Sequence, residues 1–500
     1  MSSYFIGLDI GTTSTKAVAF SATGHVVAQH SIGYPILRPQ RDHSEQDPDE
    51  IVDAVIATIR EVQAKAQPFG TLQGISFSAA MHSLMAVDAQ GQPLTQVIIW
   101  ADNRASHLAD ILKATKEGMA IYHTTGTPIH AMTPLCKLRW LSEHEPELFR
   151  KAHKFIGIKE YIFLQIFGEY VVDYSVASAT GLLDIHTLNW SEPALHTARV
   201  TPAKLSTLVP IFHTQICPDV WAEKLAIPAQ TPFVIGANDG CLANVGSGAI
   251  TPDRISVTIG TSAAVRIGIA QPWTDVQMRT FCYVLTHDLF IAGGGMNNGG
   301  IIAEWLYTNL FPEPGGNDFA RLFNQAQTVS PGSEGLLFLP YLLGERAPVY
   351  NAHAKGMYFG ITIRHTSAHF IRATLEGIAL AVYHTGKALV DQLPDIETLY
   401  VGGGFARSEF WVQLLADVYG KKVVITETVE SSAYGAVLVG WQALGILDSW
   451  SQAPALTQTA QTFEPDASRH ALYQQQFKKY VRLYEAVKPE FFYGEDDGTE

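Results

Sequence analysis

The sequence predicts an α/β protein made of two related halves, and three observations lead to this prediction. Short β-rich segments alternate with segments of helical periodicity along the chain. A strand, a Gly-Thr turn and a second strand occur at Ile10-Gly11-Thr12 and again, half a chain length later, at Ile259-Gly260-Thr261. The 500 residues allow about three domains of ordinary size or two large ones, and the repeat favours two.

The first half begins with short strands whose connecting turns require antiparallel pairing. A helix follows Asp47, because Pro48 suits its first turn and apolar residues then recur at helical spacing. Thr133 and Pro134 begin another helix as its N-cap and first residue, and Pro146 ends or kinks it. The predicted strands of this half are 4–10, 15–20, 26–30, 74–78 and 97–100.

The second half repeats the strand-rich beginning and continues with longer helices. Ser367 is the expected N-cap of the first long helix, and Gly420 is expected to end the next one. The segment 431–447 carries no charge, but its glycines and serines predict a buried helix against a sheet and not a membrane span. The predicted strands are 255–259, 263–267, 399–401 and 423–426, and the predicted helices are 368 to about 393, 409–419 and about 466–487.

We expect an N-terminal domain at 1–247 and a C-terminal domain at 252–490, separated by a stretch rich in Gly, Ser and Pro. Residues 491–500 form an acidic tail that is expected to be disordered. The N-terminus has neither the basic region nor the cleavage site of a signal peptide.

Charge and cysteine content exclude several classes of protein. The formal charge of −14 argues against a nucleic-acid partner and against anchoring to a membrane by a basic patch. The four cysteines lie far apart without a C-x-x-C pattern, which excludes a zinc module by spacing and a disulfide framework by density. A reducing compartment is favoured, so a cytoplasmic protein is expected.

Two glycine turns have the composition of phosphate-binding hairpins. In the run from Asp9 to Lys16, N–H groups and hydroxyls can donate to phosphate oxygens, and Asp9 can hold Mg²⁺ through water. A second turn at 260–262 would grip a polyphosphate from the opposite side of a cleft. The alternative is a pair of ordinary turns, and the P-loop pattern G-x-x-x-x-G-K-[ST] is absent.

Other polar or glycine-rich segments follow predicted strands. Asp239 ends an apolar strand and is well placed to accept a hydroxyl proton, although an isolated Asp there is more often a turn residue. The glycines at 402–404 and in the run 293–300 allow close packing of a flat ring or form flexible turns. Met81-His82 either lines a substrate pocket or has a structural role.

Together these segments resemble the FGGY family of carbohydrate kinases, within the actin, Hsp70 and hexokinase superfamily. Two family signatures fit, at 132–144 and from 356 to 376, and the resemblance covers about residues 4–445. It implies two ribonuclease-H-like domains around a cleft, with ATP mainly on the second domain and the sugar mainly on the first. The second signature is expected to serve packing and not chemistry.

The resemblance also implies roles for individual residues. Asp239 matches the general base, and Asp9 and Asp239 match the carboxylates near Mg²⁺. The positions that match nucleotide contacts are Thr12, Thr13, Ser14, Lys16, Gly260, Thr261, Gly300, Glu304, Gly404 and Ser408. The positions expected to contact the sugar are Met81, His82, Trp100, Met132, Asn238 and Asp239.

Departures from the family patterns reduce the number of substrates that we expect for this chain. Glycerol kinases have Arg-Glu where this chain has Met81-His82, which argues against glycerol. The runs 78–88, 100–104 and 126–130 look most like the members that phosphorylate gluconate. The resemblance therefore implies ATP-dependent phosphorylation of the terminal hydroxyl of D-gluconate, giving 6-phosphogluconate and ADP. A xylulose or other pentulose kinase is the alternative, and a non-kinase ATP-switched protein like actin or Hsp70 is a remote one.

The sequence leaves open which residue binds the gluconate carboxylate and whether the protein forms a homodimer. A buried carboxylate needs a cationic or hydrogen-bonding partner. The candidate partners for the gluconate carboxylate are His82, His130, Arg104, Lys137 and Arg346. The resemblance also leaves a homodimer open.

Overall fold

The computed structural model describes residues 2–312, 319–393, 396–426, 430–452 and 459–492. The acidic tail predicted at 491–500 falls outside these residues except for its first two positions. Those two positions end a 3₁₀ helix at Lys488–Phe492.

The first half contains a central sheet, several short two-stranded sheets, ten α-helices and a 3₁₀ helix at Pro202–Lys204 among the described residues. Its strands are β1 (Ser3–Ile10), β2 (Ser14–Ser21), β3 (Val26–Gly33), β4 (Glu45–Gln46), β5 (Thr71–Ala79), β6 (Met85–Val87), β7 (Val97–Ile98), β8 (Lys154–Ile156), β9 (Val171–Asp173), β10 (Leu183–Asp184), β11 (Asn189–Trp190), β12 (Thr207–Val209), β13 (Thr214–Ile216) and β14 (Pro232–Asn238). Its helices are α1 (Pro48–Ala66), α2 (Ser106–Lys113), α3 (Lys116–Thr125), α4 (Pro134–His144), α5 (Pro146–Lys151), α6 (Ile158–Phe167), α7 (Tyr174–Ser178), α8 (Glu192–Ala198), α9 (Asp219–Leu225) and α10 (Asp239–Ser247).

The second half has a larger sheet and longer helices. Its described strands are β15 (Arg254–Ile259), β16 (Ala263–Ile269), β17 (Phe281–Thr286), β18 (Leu289–Met296), β19 (Leu337–Leu339), β20 (Met357–Phe359), β21 (Thr398–Gly402), β22 (Lys422–Thr426) and β23 (Thr459–Phe463). Its described α-helices are α11 (Gly300–Asn309), α12 (Phe319–Gln327), α13 (Ser367–Gln392), α14 (Glu409–Tyr419), α15 (Ser431–Ala443) and the C-terminal helix (Ala467–Val487).

The two main sheets share one plan. The first has the order β13-β14-β5-β1-β2-β3, with β1 antiparallel to β2 and parallel to β5. The second has the order β23-β22-β21-β15-β16-β18-β17, with β15 antiparallel to β16 and parallel to β21. Each strand–turn–strand unit recognised in the sequence therefore lies at the centre of its own sheet, which explains why the same motif appears in both halves.

Local chain chemistry explains where several helices begin and end. Thr133 caps α4 through its side chain, as predicted, and Gly420 ends α14 with φ 64°. Helix α4 ends before Pro146, and Pro146 is the first residue of the short helix α5. The N-cap of α13 is Thr366 and not Ser367, because the His369 ring accepts the backbone N–H of Thr366 and closes a capping box.

Helices α10 and α15 pack against each other at the centre of the molecule. Glycines allow their backbones to approach closely, since a Cβ at Gly435 would lie 2.0 Å from the Leu242 carbonyl oxygen. Helix α15 belongs to the second half by sequence, yet it packs against β1 and β5 of the first sheet. The prediction of a buried helix against a sheet is confirmed for 431–443, and this helix joins the two halves.

Large apolar clusters fill the space around each sheet. One surrounds the second sheet and α13, another surrounds the first sheet and α1, and a third contains α10 and α15. All four cysteines are buried free thiols. Among the described residues, no helix has the length and apolar character needed to cross a membrane.

Candidate active site

The first hairpin joins β1 to β2 and faces the cleft. The N–H of Gly11 donates to the Ser14 carbonyl at 3.0 Å and closes the turn. Trp100 Nε1 donates to the Thr12 hydroxyl at 2.8 Å, which connects this hairpin to the segment that follows β7. Thr13 is exposed at the tip. The exposed Thr13 is therefore available to a ligand at this turn, whereas the N–H of Gly11 is used within it.

Lys16 has a different environment from the one that the resemblance implies. Its Nζ donates to both carboxylate oxygens of Glu430 at 3.0 Å, so it bridges the two halves of the chain. Both side chains are partly exposed, and such ion pairs contribute little stability. A nucleotide phosphate can therefore compete with Glu430 for this lysine.

The second hairpin joins β15 to β16 and is held by the glycine-rich run. The N–H of Gly260 donates to the Ser262 carbonyl at 2.9 Å, and the N–H of Gly300 donates to the Gly260 carbonyl at 2.6 Å. A Cβ at Gly299 would lie 2.5 Å from the Ser262 carbonyl oxygen. The end of the run 293–300 thus packs against the hairpin, and its glycines are needed for that contact.

A cavity of about 590 Å³ adjoins the second hairpin and contains six of the predicted nucleotide positions. They are Gly260, Thr261, Gly300, Glu304, Gly404 and Ser408. Aromatic side chains that sequence reasoning did not assign complete the wall, and they are Phe319, Phe323, Phe405 and Trp411. Flat apolar rings beside a hairpin of N–H donors suit a purine base attached to phosphates.

Two carboxylates lie beside the hairpins. Asp9, on β1, accepts a hydrogen bond from the Ser78 hydroxyl at 2.6 Å. Burial, and then the nearby Asp239 carboxylate, raise the pKa of Asp9 to about 6. Asp239 begins α10, and its Oδ1 accepts the N–H of Gly240 at 2.6 Å. Burial raises the pKa of Asp239, while Arg266 opposes this shift.

A second cavity, of about 190 Å³, lies between the hairpins and contains Asp239. Thr12 of the first hairpin and Ser262 of the second both line it. It also contains the predicted sugar positions Met81, His82, Trp100 and Met132. Residues that sequence reasoning did not assign complete its lining, among them Arg266, Phe281, Tyr283 and Tyr350.

Asn238 was expected to contact the sugar, and the structure gives it another role. Its side chain is fully buried and does not line the cavity. Its Oδ1 accepts the N–H of Cys241 at 2.8 Å, and its Nδ2 donates to the Ser175 carbonyl at 3.1 Å. Asn238 therefore caps α10 and positions Asp239, because the two are neighbours at the start of this helix.

His82 lies in the wall of the smaller cavity as a neutral side chain. Its Nδ1 is 2.7 Å from the Ala179 carbonyl oxygen and its Nε2 is 3.3 Å from the Tyr283 hydroxyl. Burial, and then the charge of Lys137, lower the pKa of His82 well below its usual value. An Nδ1–H tautomer satisfies both contacts, so His82 offers a polar neutral surface and not a cation.

Most other candidate partners for a substrate carboxylate are already occupied. Lys137 Nζ donates to the carbonyls of His82, Ile98 and Ile99 at 2.7, 3.3 and 2.9 Å. Arg104 pairs with Asp102 and Glu45. Burial lowers the pKa of His130 to about 3, which makes it neutral.

Two arginines face the smaller cavity, and the sequence indicated only one of them. Arg346 stacks on the Trp100 ring, with 4.6 Å between its guanidinium carbon and the ring centroid. Arg266 lies on β16. A single arginine within an otherwise apolar strand was the signal that could have identified it.

The carboxylate pair is chemically suited to a magnesium ion. Mg²⁺ prefers hard oxygen donors and keeps several waters, so it needs only one or two protein carboxylates beside the phosphates. Asp9 and Asp239 offer such carboxylates, and the charge of Asp239 disfavours the ionised form of Asp9 when no cation is nearby. Among the described residues, no group of three or more His, Cys, Asp or Glu forms a metal site by itself.

Comparisons with known proteins agree with this geometry. The model of the FGGY family of carbohydrate kinases, N-terminal domain, matches residues 4–246, and that of the C-terminal domain matches residues 255–444. A gluconokinase from Bacillus subtilis (strain 168) is 46% identical over 459 residues, covering 90% of this chain and 89% of that protein.

Two solved structures of sugar kinases are also similar to this chain over nearly its whole length. Gluconate kinase from Lactobacillus acidophilus superposes with a TM-score of 0.94 at 34% identity, covering 97% of this chain and 98% of that chain. A ligand-bound xylulose kinase from the same organism also superposes with a TM-score of 0.94 at 34% identity, covering 98% and 99%.

These matches confirm the two-domain, actin- and hexokinase-like fold that the sequence motifs implied. They identify a phosphotransferase with an alcohol group as acceptor, whose substrates are a sugar and ATP. The chain belongs to the FGGY family of carbohydrate kinases.

Proposed function

We propose that this kinase transfers the γ-phosphoryl group of ATP to the terminal hydroxyl of D-gluconate, giving 6-phosphogluconate and ADP. The observation that carries the proposal is the cavity that contains Asp239, because two guanidinium groups, those of Arg266 and Arg346, also line it. A neutral pentulose would add no negative charge beside these guanidinium groups, on which the carboxylates of Asp239 and Glu345 already act. The 46% identity to a gluconokinase points to the same substrate.

In the proposed reaction Asp239 accepts the proton of the terminal hydroxyl while the hydroxyl oxygen attacks the γ-phosphorus in line. The base must be ionised to act, and the positive charges of Arg266, Arg346 and Lys159 favour its ionised form against the effect of burial. The capping contacts of Asn238 hold Asp239 at the start of α10.

The nucleotide would lie in the larger cavity, with its phosphates directed toward the two hairpins. N–H groups and hydroxyls at residues 12–14 and 260–262 would stabilise the equatorial oxygens of the transferred group. Mg²⁺, when bound with the nucleotide, would be held by Asp9 and Asp239 and would neutralise charge on the β- and γ-phosphates. Closure of the two halves would exclude water, which competes as acceptor.

A coupled assay of ADP release tests the proposal on a panel of gluconate, xylulose and glycerol. We expect kcat/KM for gluconate to exceed that for xylulose by at least about 100-fold, because a site with buried cations discriminates strongly against a neutral acceptor. A preference for xylulose would refute the proposal. Xylulose is the second candidate, since the xylulose kinase from Lactobacillus acidophilus superposes as well as the gluconate kinase does.

A thermal-shift experiment with ADP and Mg²⁺ gives an independent measurement, because a ligand that binds only the folded state stabilises it. Gluconate should raise the melting temperature further, and xylulose should not. We also propose a cytoplasmic location, which the four free buried thiols support.

A further inference from the structure

Arg266 is a buried cation, and the Asp239 carboxylate is the described negative charge that acts on it most strongly. No described carboxylate forms an ion pair with it, and its Nε is shielded from solvent without a hydrogen-bond partner. Burying an unpaired charge is strongly unfavourable, and buried charges in proteins are usually paired. The side chain lines the smaller cavity, so a ligand in that cavity can supply the missing anion.

The surroundings of Arg266 leave room for its side chain. Gly293 lies opposite Arg266 in the sheet, and a Cβ there would lie 3.2 Å from Arg266 Cγ. A Cβ at Gly240 would lie 3.0 Å from Arg266 Nε. Small residues on two sides thus form a slot for a guanidinium, and part of the glycine-rich run 293–300 serves this purpose.

The spacing between Ala264 and Arg266 along β16 is comparable to the length of a six-carbon acceptor. Ser262, Ala264 and Arg266 all line the cavity, and Ser262 belongs to the phosphate hairpin. At about 3.4 Å per strand residue, the Cα of Arg266 lies roughly 7 Å beyond that of Ala264. An extended six-carbon chain spans about 6 Å from its first to its last carbon, given bonds of about 1.5 Å. Asp239 and Arg266 line the same cavity, so an acceptor whose terminal hydroxyl lies near Asp239 also faces the guanidinium.

Arg346, the other cation of the cavity, has fewer free donors. Its Nε donates to the Asn297 side-chain oxygen at 2.8 Å, and its Nη2 donates to the Met296 carbonyl at 3.0 Å. Its guanidinium is also stacked on the Trp100 ring. Arg266 is therefore better suited to receive both oxygens of a carboxylate.

We infer that Arg266 binds the carboxylate of the acceptor and thereby selects sugar acids over neutral sugars of the same length. The inference rests on the proposed function and adds to it the residue that determines specificity. A planar guanidinium can bind both carboxylate oxygens at once, which lysine cannot do in the same way.

The test compares gluconate with D-glucitol, which has a CH₂OH group in place of the carboxylate. In Arg266→Gln, kcat/KM for gluconate should fall by about 100-fold, mainly through KM, because a charged hydrogen-bonded pair is lost. The value for glucitol should fall by at most about 10-fold, because that acceptor has no charge to lose and only the support that Arg266 gives to ionised Asp239 disappears. Arg266→Lys should show a smaller loss for gluconate, of about 10-fold.

Arg254→Gln is the matched control, since Arg254 lies on the neighbouring strand β15 and pairs with Asp253 outside the cavity. This variant should leave kcat/KM unchanged for gluconate and for glucitol. The inference is wrong if Arg266→Gln lowers kcat/KM for both acceptors by the same factor. It is also wrong if kcat/KM for gluconate stays within about threefold of wild type.

A stability measurement separates recognition from a structural role. The pKa of Arg266 is lowered because burial outweighs the attraction of Asp239, so free Arg266→Gln should melt at the wild-type temperature or above it. A lower melting temperature would indicate a structural role and contradict the inference.

A wild-type enzyme that accepts another sugar acid and not gluconate would refute the proposed function alone. The same variants would then be tested with that acid and its alcohol. A wild-type enzyme without activity on any sugar acid would refute both.

Discussion

Asp9→Asn should stabilise the unliganded protein while it removes activity. In the folded state burial and the neighbouring Asp239 raise the pKa of Asp9 from 3.8 to about 6. Above pH 6 the folded protein therefore carries an ionised carboxylate in an unfavourable place. Asparagine has nearly the same shape, and its side-chain oxygen can still accept the hydrogen bond from Ser78.

The size of the effect follows from the pKa difference. A shift from 3.8 to about 6 is roughly two units, and each unit corresponds to about 1.4 kcal/mol, which gives about 3 kcal/mol at pH 8. The sign is that of a raised pKa, so the contribution of Asp9 to wild-type stability is full below pH 3.8 and is lost as pH rises through 6. The advantage of the variant should therefore fall below about 1 kcal/mol near pH 4.

Urea unfolding of the free enzyme at pH 8 and at pH 4 measures this difference, with Asp53→Asn as a control at an exposed carboxylate on α1. ADP release should fall by at least about 100-fold in Asp9→Asn, because charge on the phosphates is then less well neutralised. If the variant is no more stable than wild type at pH 8, or if its advantage does not depend on pH, the reasoning about Asp9 is wrong.

Three other variants test separate parts of the site. Asp239→Asn should lower kcat by at least about 1000-fold and leave ADP affinity, measured by calorimetry, within about twofold. Glu430→Gln should lower the KM for ATP several-fold, since it frees Lys16 from the ion pair and removes a negative charge near the phosphates. An unchanged KM would show that Lys16 does not reach the nucleotide. Gly435→Ala should lower stability in urea unfolding by about 1–3 kcal/mol, because its Cβ would meet the Leu242 carbonyl, and an unaffected variant would show that α10 and α15 can separate easily.

Short motifs predicted those parts of the fold in which a few neighbouring residues decide the geometry. The two hairpins follow from a strand, a glycine turn and a strand, and both lie at the centres of their sheets. Thr133 and Gly420 bound their helices as expected. The N-cap of α13 was displaced by one residue, because the contribution of the His369 ring could not be assigned from propensity alone.

Long-range packing limited what could be predicted for the glycine-rich run 293–300. The sequence allowed either ligand contact or packing for these glycines. In the structure, some of them serve packing and another lines a cavity. Gly293 and Gly295 leave room for Arg266 and Arg346, whereas Gly300 lines the larger cavity. The residues that approach these glycines come from other strands and loops, so no local pattern identifies them.

The sequence by itself determined the α/β class, the two related halves and both hairpins, because these depend on residue type and local spacing, and it indicated Asp9 and Asp239 as candidate site carboxylates. Only the tertiary structure decided which polar groups face the acceptor. It occupies Lys137 with carbonyl groups, makes Asn238 a helix cap and leaves Arg266 Nε without a described hydrogen-bond partner. The physical reason is that burial and hydrogen-bond satisfaction depend on the packed chain, and residues distant in sequence decide both.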